Sequence, residues 1–114
     1  MRFFHIRNYG VYNDILAKGG TTVAIKDSPD ITNVASGDKI TLNIGIATCH
    51  EDDNYNKRIG RDISNARIVP MEFTVTEDFS HEGEKYVRLI SDKTLLFAKT
   101  KNGKLIVATA CQTK

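Results

Sequence analysis

The side chains of this sequence that could do covalent chemistry are two cysteines and three histidines. They are Cys49, Cys111, His5, His50 and His81. Catalysis requires a nucleophile and a base that converge, and Cys49 beside His50 at a predicted strand end is the best candidate pair. A helix beginning just after them would stabilise a thiolate, but the negative charges of Glu51, Asp52 and Asp53 oppose it. The sequence therefore favours a structural Cys49, and we predict no catalytic residue.

The same cysteines and histidines are ligand types that zinc accepts, but they lack the spacing of a zinc site. None of the paired spacings that identify such sites occurs, and adjacent residues such as Cys49 and His50 point to opposite sides of a strand. The sequence also contains no Walker loop and no glycine fingerprint that opens a helix in a βαβ unit. We therefore predict no metal, no cofactor and reduced thiols rather than a disulfide.

Basic residues recur in the segment that follows the acidic cluster of residues 51–54. The candidate partner-binding side chains in this segment are Lys57, Arg58, Arg61, Asn65 and Arg67. In a structural interpretation, acids at the helix start and bases further along complement the helix dipole, and Arg58 pairs with Asp62 at spacing four. In a functional interpretation, the row binds phosphates or an acidic protein surface. Exposed charges are common on helices, so both interpretations stay open.

A second basic feature is a predicted hairpin near the end of the chain. The Asn-Gly pair at residues 102–103 is the strongest local hairpin signal, because both residues accept positive φ, and it separates predicted strands over 94–100 and 105–110. Lys101 and Lys104 flank this turn. They either protect a sheet edge from aggregation or extend a basic binding surface. No exposed aromatic residues are interleaved with them, so a stacking platform for single-stranded nucleic acid is not indicated.

The basic helix is positioned by a strand that precedes it. Aliphatic residues alternate with polar or small ones from residue 39 to residue 47, which places four aliphatics on one strand face. These are Ile40, Leu42, Ile44 and Ile46. The acidic cluster then supplies N-cap residues for a sharp turn into the helix, whose apolar stripe is predicted to contain Tyr55, Ile59, Ile63 and Ala66. Gly60 lowers helix propensity by about 1 kcal/mol relative to Ala, which indicates close packing there.

The remaining patterns predict a sheet with short connections. Further strands are predicted over residues 2–7, 21–26, 69–75 and 85–90, a helical turn over 13–18, a turn over 27–30 and a polar loop over 76–84. A two-residue turn in the C-terminal hairpin pairs Ala98 with Val107 and Phe97 with Ala108. Many strands with one internal helix predict an α+β fold, in which a mostly antiparallel sheet packs around that helix and ends in a C-terminal β-hairpin. We predict a single globular domain over residues 1–114.

Composition limits the classes of function. The chain has 114 residues, of which 40% are hydrophobic and 26% charged, as in ordinary globular proteins. The formal net charge of +2 is too small to indicate nucleic acid or membrane by itself. Residues 93–114 contain lysines and no acid, whereas residues 72–84 contain five acids and no Lys or Arg, so we expect two surface poles. No signal peptide or membrane-spanning stretch is evident, which predicts a cytoplasmic protein without a membrane partner.

The segment Cys49–Arg67 resembles a stretch in small accessory proteins of tailed bacteriophages. In those proteins a Cys or His is followed by Asp, an aromatic residue, a basic pair, Gly-Arg and a later Ala or Gly before Arg. The corresponding positions in this sequence are Asp53, Tyr55, Lys57, Arg58, Gly60, Arg61, Ala66 and Arg67. The resemblance implies a phage-encoded, early-expressed protein that acts in host takeover or counter-defence, including anti-CRISPR-like inhibition.

Three functional hypotheses follow. The first is a non-enzymatic interaction protein that binds a host protein or nucleoprotein and inhibits a defence enzyme in the host cytoplasm. The second is a nucleic-acid-binding module that uses the basic helix and the lysine-bearing hairpin. The third is a cysteine-dependent or metal-dependent enzyme. Salt dependence separates the first two, because phosphate contacts weaken steeply with ionic strength.

Overall fold

A computed structural model describes residues 1–12, 14–26, 31, 33–92, 94–101 and 104–112, and over these residues the chain forms seven strands and one helix. The strands are β1 (Arg2–Ile6), β2 (Lys18–Lys26), β3 (Lys39–Asn54), β4 (Val69–His81), β5 (Glu84–Ile90), β6 (Thr94–Lys101) and β7 (Lys104–Gln112). The helix α1 (Lys57–Ala66) lies between β3 and β4 in the chain. The strands are hydrogen-bonded to one another in chain order. The pairs β1–β2, β4–β5, β5–β6 and β6–β7 are antiparallel.

The chain divides into two compact units. The first unit comprises residues 1–26 and 44–69, and the second comprises residues 27–43 and 70–114. The first therefore contains β1, β2, the later part of β3 and α1, while the second contains β5, β6, β7 and nearly all of β4. The assignment of residues 1–114 to a single domain stays a prediction.

The core of the first unit lies along β2 and β3. Consecutive residues 22–25 of β2 are all buried, which means that both faces of this strand are covered. In β3 the predicted alternation is confirmed at Ile44 and Ile46, and the intervening Gly45 is buried as well. A Cβ at Gly45 would overlap the carbonyl oxygen of Ser64 in α1. The second face of β3 is thus covered by a helix whose backbone approaches closely.

The predicted α+β class with an internal helix is wrong. Most of the described residues belong to a mostly antiparallel sheet. The helix α1 has only ten residues, and Ser64 is the only one of them that is buried. Ile59 and Ile63, expected in the buried stripe, are 55% and 39% exposed. The helix packs instead through its small residues, because Gly60 lies against the buried Thr22 of β2 and Ser64 lies against Gly45. Small side chains allow a short distance between helix and sheet, and this turns the isoleucines away from the contact.

The start of α1 also differs from the prediction. Residues 51–54 do not form a turn, since β3 continues to Asn54 with its acidic side chains exposed. The N-cap is Asn56, whose side-chain oxygen accepts the Ile59 backbone N–H at 3.1 Å. Asn is a strong cap residue, and the acids before it remain in extended backbone.

The second unit contains longer strands than the sequence pattern predicts. The expected polar loop over 76–84 is wrong, because β4 extends to His81 and pairs with β5. The chain reverses at Glu82 and Gly83, whose φ values of 51° and 79° are the positive pair that a tight hairpin turn requires. In the C-terminal pair, Ala98 faces Val107 as predicted, but an irregularity after Phe97 shifts that residue to Thr109 instead of Ala108.

The segment before β2 is a loop closed by backbone hydrogen bonds. Tyr9 and Ile15 form an antiparallel bridge, and the Leu16 N–H donates to the Asn8 carbonyl at 2.9 Å. The predicted helical turn over 13–18 is therefore wrong over the described residues 14–18, and Asn13, its expected cap, lies outside them. The turn predicted at 27–30 also lies outside the described residues.

Candidate functional site

A partly buried hydrogen-bond network joins β1, β2 and Tyr55, which lies two residues before α1. The hydroxyl oxygens of Thr22 and Tyr55 are 2.6 Å apart, and the Tyr55 hydroxyl lies 2.9 Å from Nδ1 of His5. Thr22 is completely buried, so its hydroxyl is unavailable to a substrate. At Gly20 a Cβ would lie 2.7 Å from the Tyr55 ring. Because Tyr55 is fixed in this way at the start of α1, the network holds the first turn of the helix against the sheet.

Arg7 lies over this network. Its guanidinium carbon is 4.5 Å from the centre of the Tyr55 ring, which is cation–π geometry. Its Nη2 donates to the Leu16 carbonyl oxygen at 2.8 Å. Arg7 is therefore a positioned cation, although the sequence analysis did not identify it as a binding residue. Only a structure places it beside α1, because the two are about fifty residues apart in the chain.

The pKa of His5 reports on the electrostatics of this region. It lies below the ordinary value of 6.5, mainly because partial burial disfavours the charged ring and then because Lys57, Arg61 and Arg7 repel a further positive charge. These three cations come from two separate parts of the chain, the residue that follows β1 and the first two turns of α1. We call Arg7, Lys57 and Arg61 the basic cluster.

The charges of α1 oppose its dipole. Its first turn contains no acid and its last turn contains no base, while Lys57 and Arg58 occupy the positive N-terminal end. Each cation at that end costs about 0.3–1 kcal/mol, the reverse of the usual stabilisation by acids. Within the described part of the chain, neither these residues nor Arg61 and Arg7 are within 4.0 Å of a carboxylate. The part of the structural interpretation in which acids at the helix start complement the dipole is therefore wrong. Whether the basic row is an ordinary solvated helix face or a binding surface stays a prediction.

The other predicted contact residues divide into three groups. Arg58 and Asn65 are exposed on α1, but Arg58 is not among the cations that act on His5. Arg67 is the C-cap, and its Nη1 donates to the Ile46 carbonyl oxygen at 3.0 Å, which assigns it a structural contact. Lys101 and Lys104 belong to the second unit, and their side chains lie outside the described part of the structure.

Cys49 and His50 do not face each other as a nucleophile and a base. The Cys49 thiol lies 3.4 Å from the Asp53 carbonyl oxygen and 3.5 Å from that of His50, with the thiol as donor. Nδ1 of His50 instead accepts the backbone N–H of Asp52 at 3.1 Å. The side chains of the two remaining metal-ligand candidates, His81 and Cys111, lie outside the described residues.

A cavity of about 440 Å³ lies between α1 and the end of β3. Its walls include the half-exposed isoleucines of α1, the Cys49 side chain and the acidic Asp53. The wall thus joins apolar surface on the helix to negative charge on the strand. The cations of the basic cluster do not line the cavity, but Thr22 and Tyr55 of the hydrogen-bond network do, so the cavity borders the ring on which Arg7 lies.

Comparison of the chain with protein-family models, curated proteins and solved structures gives no match. In addition, the described residues contain no helix with the length and apolar content that crossing a bilayer requires.

Proposed function

We propose that this is a non-enzymatic interaction protein that binds an acidic surface of a host protein or nucleoprotein through the basic cluster. The resemblance of residues 49–67 to phage accessory proteins supports inhibition of a host defence system, in the host cytoplasm, as its setting. The observation that carries the proposal is that Lys57 and Arg61, in the first two turns of α1, act together with Arg7 on His5 and have no carboxylate partner in the described residues.

The three cations of the basic cluster repel one another, and Lys57 also opposes the helix dipole, so the cluster destabilises the isolated protein. A bound carboxylate or phosphate removes this repulsion and gains charge-assisted hydrogen bonds, which are about twice as strong as neutral ones. Tyr55, which the network of His5 and Thr22 fixes, holds the Arg7 guanidinium in place before binding, and this lowers the ordering cost of association for that cation.

A nucleic-acid-binding module is the alternative proposal, and one observation favours it. Tyr9 and Tyr12 are exposed near Arg7 and could stack on bases. Against it, Glu51 and Asp52 line the same depression as Leu16 and Lys18, so negative charge lies beside the loop that carries the tyrosines. A polyanion would be repelled there, whereas a protein surface with local acids and bases would not.

The proposal is tested with two probes of equal charge, a fluorescein-labelled peptide whose glutamates form one short cluster between neutral residues and a single-stranded oligonucleotide. Binding is measured by anisotropy at about 50 and 200 mM salt. We expect Lys57→Ala with Arg61→Ala to weaken peptide binding about tenfold, since each lost charge contact contributes up to about 1 kcal/mol. The His5 ring resonances should shift on binding to the unmodified protein.

The matched control is Arg58→Ala, which removes one charge from the same helix without affecting the cluster around His5 and should change peptide affinity by less than about twofold. Equal affinity of the double variant and the unmodified protein would contradict the proposal. Much tighter binding of the oligonucleotide than of the peptide, with a steep loss between the two salt concentrations, would favour the nucleic-acid alternative.

A further inference from the structure

The loop between β1 and β2 carries several large apolar side chains that are exposed to solvent. Val11 and Tyr12 are 94% and 90% exposed. The exposed large side chains of this loop are Tyr9, Val11, Tyr12, Ile15 and Leu16, and we call them the apolar loop. Single exposed apolar residues are ordinary, but a contiguous group marks an interaction surface.

The apolar loop has a defined backbone conformation. Besides the bridge between Tyr9 and Ile15, the Gly10 N–H donates to the Asp14 carbonyl oxygen at 2.9 Å. A Cβ at Gly10 would lie 2.8 Å from the Asp14 carboxylate. The loop is therefore closed by its own backbone, and its tip side chains project outward instead of folding back onto the sheet.

Arg7 makes the apolar loop continuous with the basic cluster. The same guanidinium that stacks on Tyr55 donates to the Leu16 carbonyl oxygen. The base of the loop and the cations around His5 thus share one side chain within the first unit. A partner that contacts one of them is placed to contact the other.

The chemistry of the combined surface selects the kind of partner. Aliphatic side chains such as Val11 offer nothing to phosphates, and the nearby Asp14, Glu51 and Asp52 disfavour a continuous anionic surface such as nucleic acid or anionic lipid. A protein can instead place its carboxylates opposite the basic cluster alone. A second copy of this chain would bring two positive clusters together. A folded protein with carboxylates around an apolar pocket complements both features, because interfaces combine buried aromatic anchors with a polar rim.

We propose that the apolar loop is an anchor, in which Val11 and Tyr12 enter an apolar pocket on a protein partner while carboxylates at its rim contact the basic cluster. This inference rests on the proposed function, since it describes the same acidic partner. The inference adds that this partner has an apolar pocket. It also assigns a larger part of the binding free energy to the apolar loop than to the basic cluster.

The test compares proteins captured from a bacterial lysate by the unmodified chain, by Val11→Ser with Tyr12→Ser, and by Lys57→Ala with Arg61→Ala. Proteins that the unmodified chain retains are identified, purified and titrated against the unmodified chain and both variants. We expect the loop variant to bind at least tenfold more weakly with an unchanged dependence on salt. The cluster variant should instead lose part of the salt dependence. Binding to anionic phospholipid vesicles and to a single-stranded oligonucleotide is measured in parallel.

Ile90→Ser is the matched control, because Ile90 is an exposed apolar residue of the second unit and its replacement should leave capture unchanged. Thermal melts of the loop variant should match the unmodified protein, since both tip residues are almost fully exposed. Identical captured proteins for the loop variant and the unmodified chain overturn the inference. A loop variant whose only loss is vesicle or oligonucleotide binding overturns it too. If the loop variant weakens binding but the cluster variant does not, the anchor stands and the basic cluster fails.

Discussion

The cations of the second unit whose side chains the structure describes have carboxylate partners, whereas those of the basic cluster in the first unit have none among the described residues. In the second unit Arg88 lies 3.2 Å from a Glu77 oxygen, and Nζ of Lys99 lies 3.0 Å from a Glu84 oxygen. These pairs flank stacked aromatic rings, with the Phe79 and Tyr86 centroids 5.2 Å apart. The same residue types therefore form an internally neutralised surface in one unit and an unneutralised one in the other.

This difference shows why net charge is a poor guide to binding in this protein. The acidic stretch over 72–84 and the lysines after residue 93 suggest two surface poles, but Glu84 and Lys99 come from adjacent paired strands and form an ion pair. The poles expected from the sequence partly cancel. What remains available for a partner is the charge that no carboxylate of the described chain neutralises. In the first unit this charge lies on α1 and at Arg7, and also at Lys18 and Lys26 of β2.

The difference between the cations of the two units depends first on the short distance between α1 and β2. We expect Gly60→Ala to change this distance most. The added Cβ gains helix propensity of about 1 kcal/mol but overlaps the Thr22 side chain, which is completely buried. Overpacking of this kind costs about 1–3 kcal/mol or more, so we expect a net loss of unfolding free energy in chemical denaturation. As α1 moves away from His5, the pKa of His5 should rise.

The control for Gly60→Ala is the same change in a Thr22→Ala background, which removes the overlapping side chain. The cost of the added methyl group should then shrink, and the coupling between the two sites should exceed about 0.5 kcal/mol, as for residues in contact. A more stable Gly60→Ala protein would mean that the helix stands further from the sheet than described.

Much of the sheet could be predicted from the sequence, because a period of two is a local signal. Ile44 and Ile46 are buried as their alternation requires. The extent of the strands was not predictable in the same way. Polar residues such as Glu77 and Asp78 resemble a loop when considered alone, yet they pair with Arg88 and Val87 of β5. The ends of these strands are determined by pairing with residues of the neighbouring strand, which are distant in the chain.

The candidate site was only partly predictable. The basic residues of α1 were identified by their spacing, but their apolar neighbours suggested the wrong buried face. Gly60 was the one local signal of close packing. Arg7 and His5 reach Tyr55 only through the pairing of β1 with β2, so no spacing in the sequence relates them. The tyrosines of the apolar loop could have been noticed, since Tyr9 and Tyr12 occur in a short segment with few polar residues.

A smaller effect on stability is expected when pH is varied. This effect measures the electrostatic field that the basic cluster produces at His5. His5 has a folded-state pKa below 6.5, so as pH falls through 6.5 the unfolded chain takes up the proton first. Its contribution to stability is therefore present above about pH 6.5 and is lost toward the lower folded value. His5→Asn, which keeps a polar group near Tyr55 without titrating, should flatten this part of the stability profile.

The same titration, followed by NMR of the His5 ring, distinguishes the cations. Lys57→Ala with Arg61→Ala should raise the pKa of His5, because two repelling charges are removed, whereas Arg58→Ala should leave it where it is. An unchanged His5 pKa in the double variant would mean that burial alone sets the value and that the cluster exerts little field there.

The smallest effect is expected from Glu84→Gln, which makes the second unit resemble the first by removing one neutralising carboxylate. The pKa of Lys99 lies above its ordinary value, chiefly because Glu84 accepts a hydrogen bond from the ammonium group and attracts its charge. We expect the variant to lower this pKa, as followed by NMR of the lysine side chain, with little change in melting temperature because the pair is partly solvated. Glu72→Gln is the control, since its nearest cation is Lys39 at 3.7 Å. If Lys99 titrates identically in both variants, Glu84 does not neutralise it in solution, and the two units differ less in charge than their ion pairs indicate.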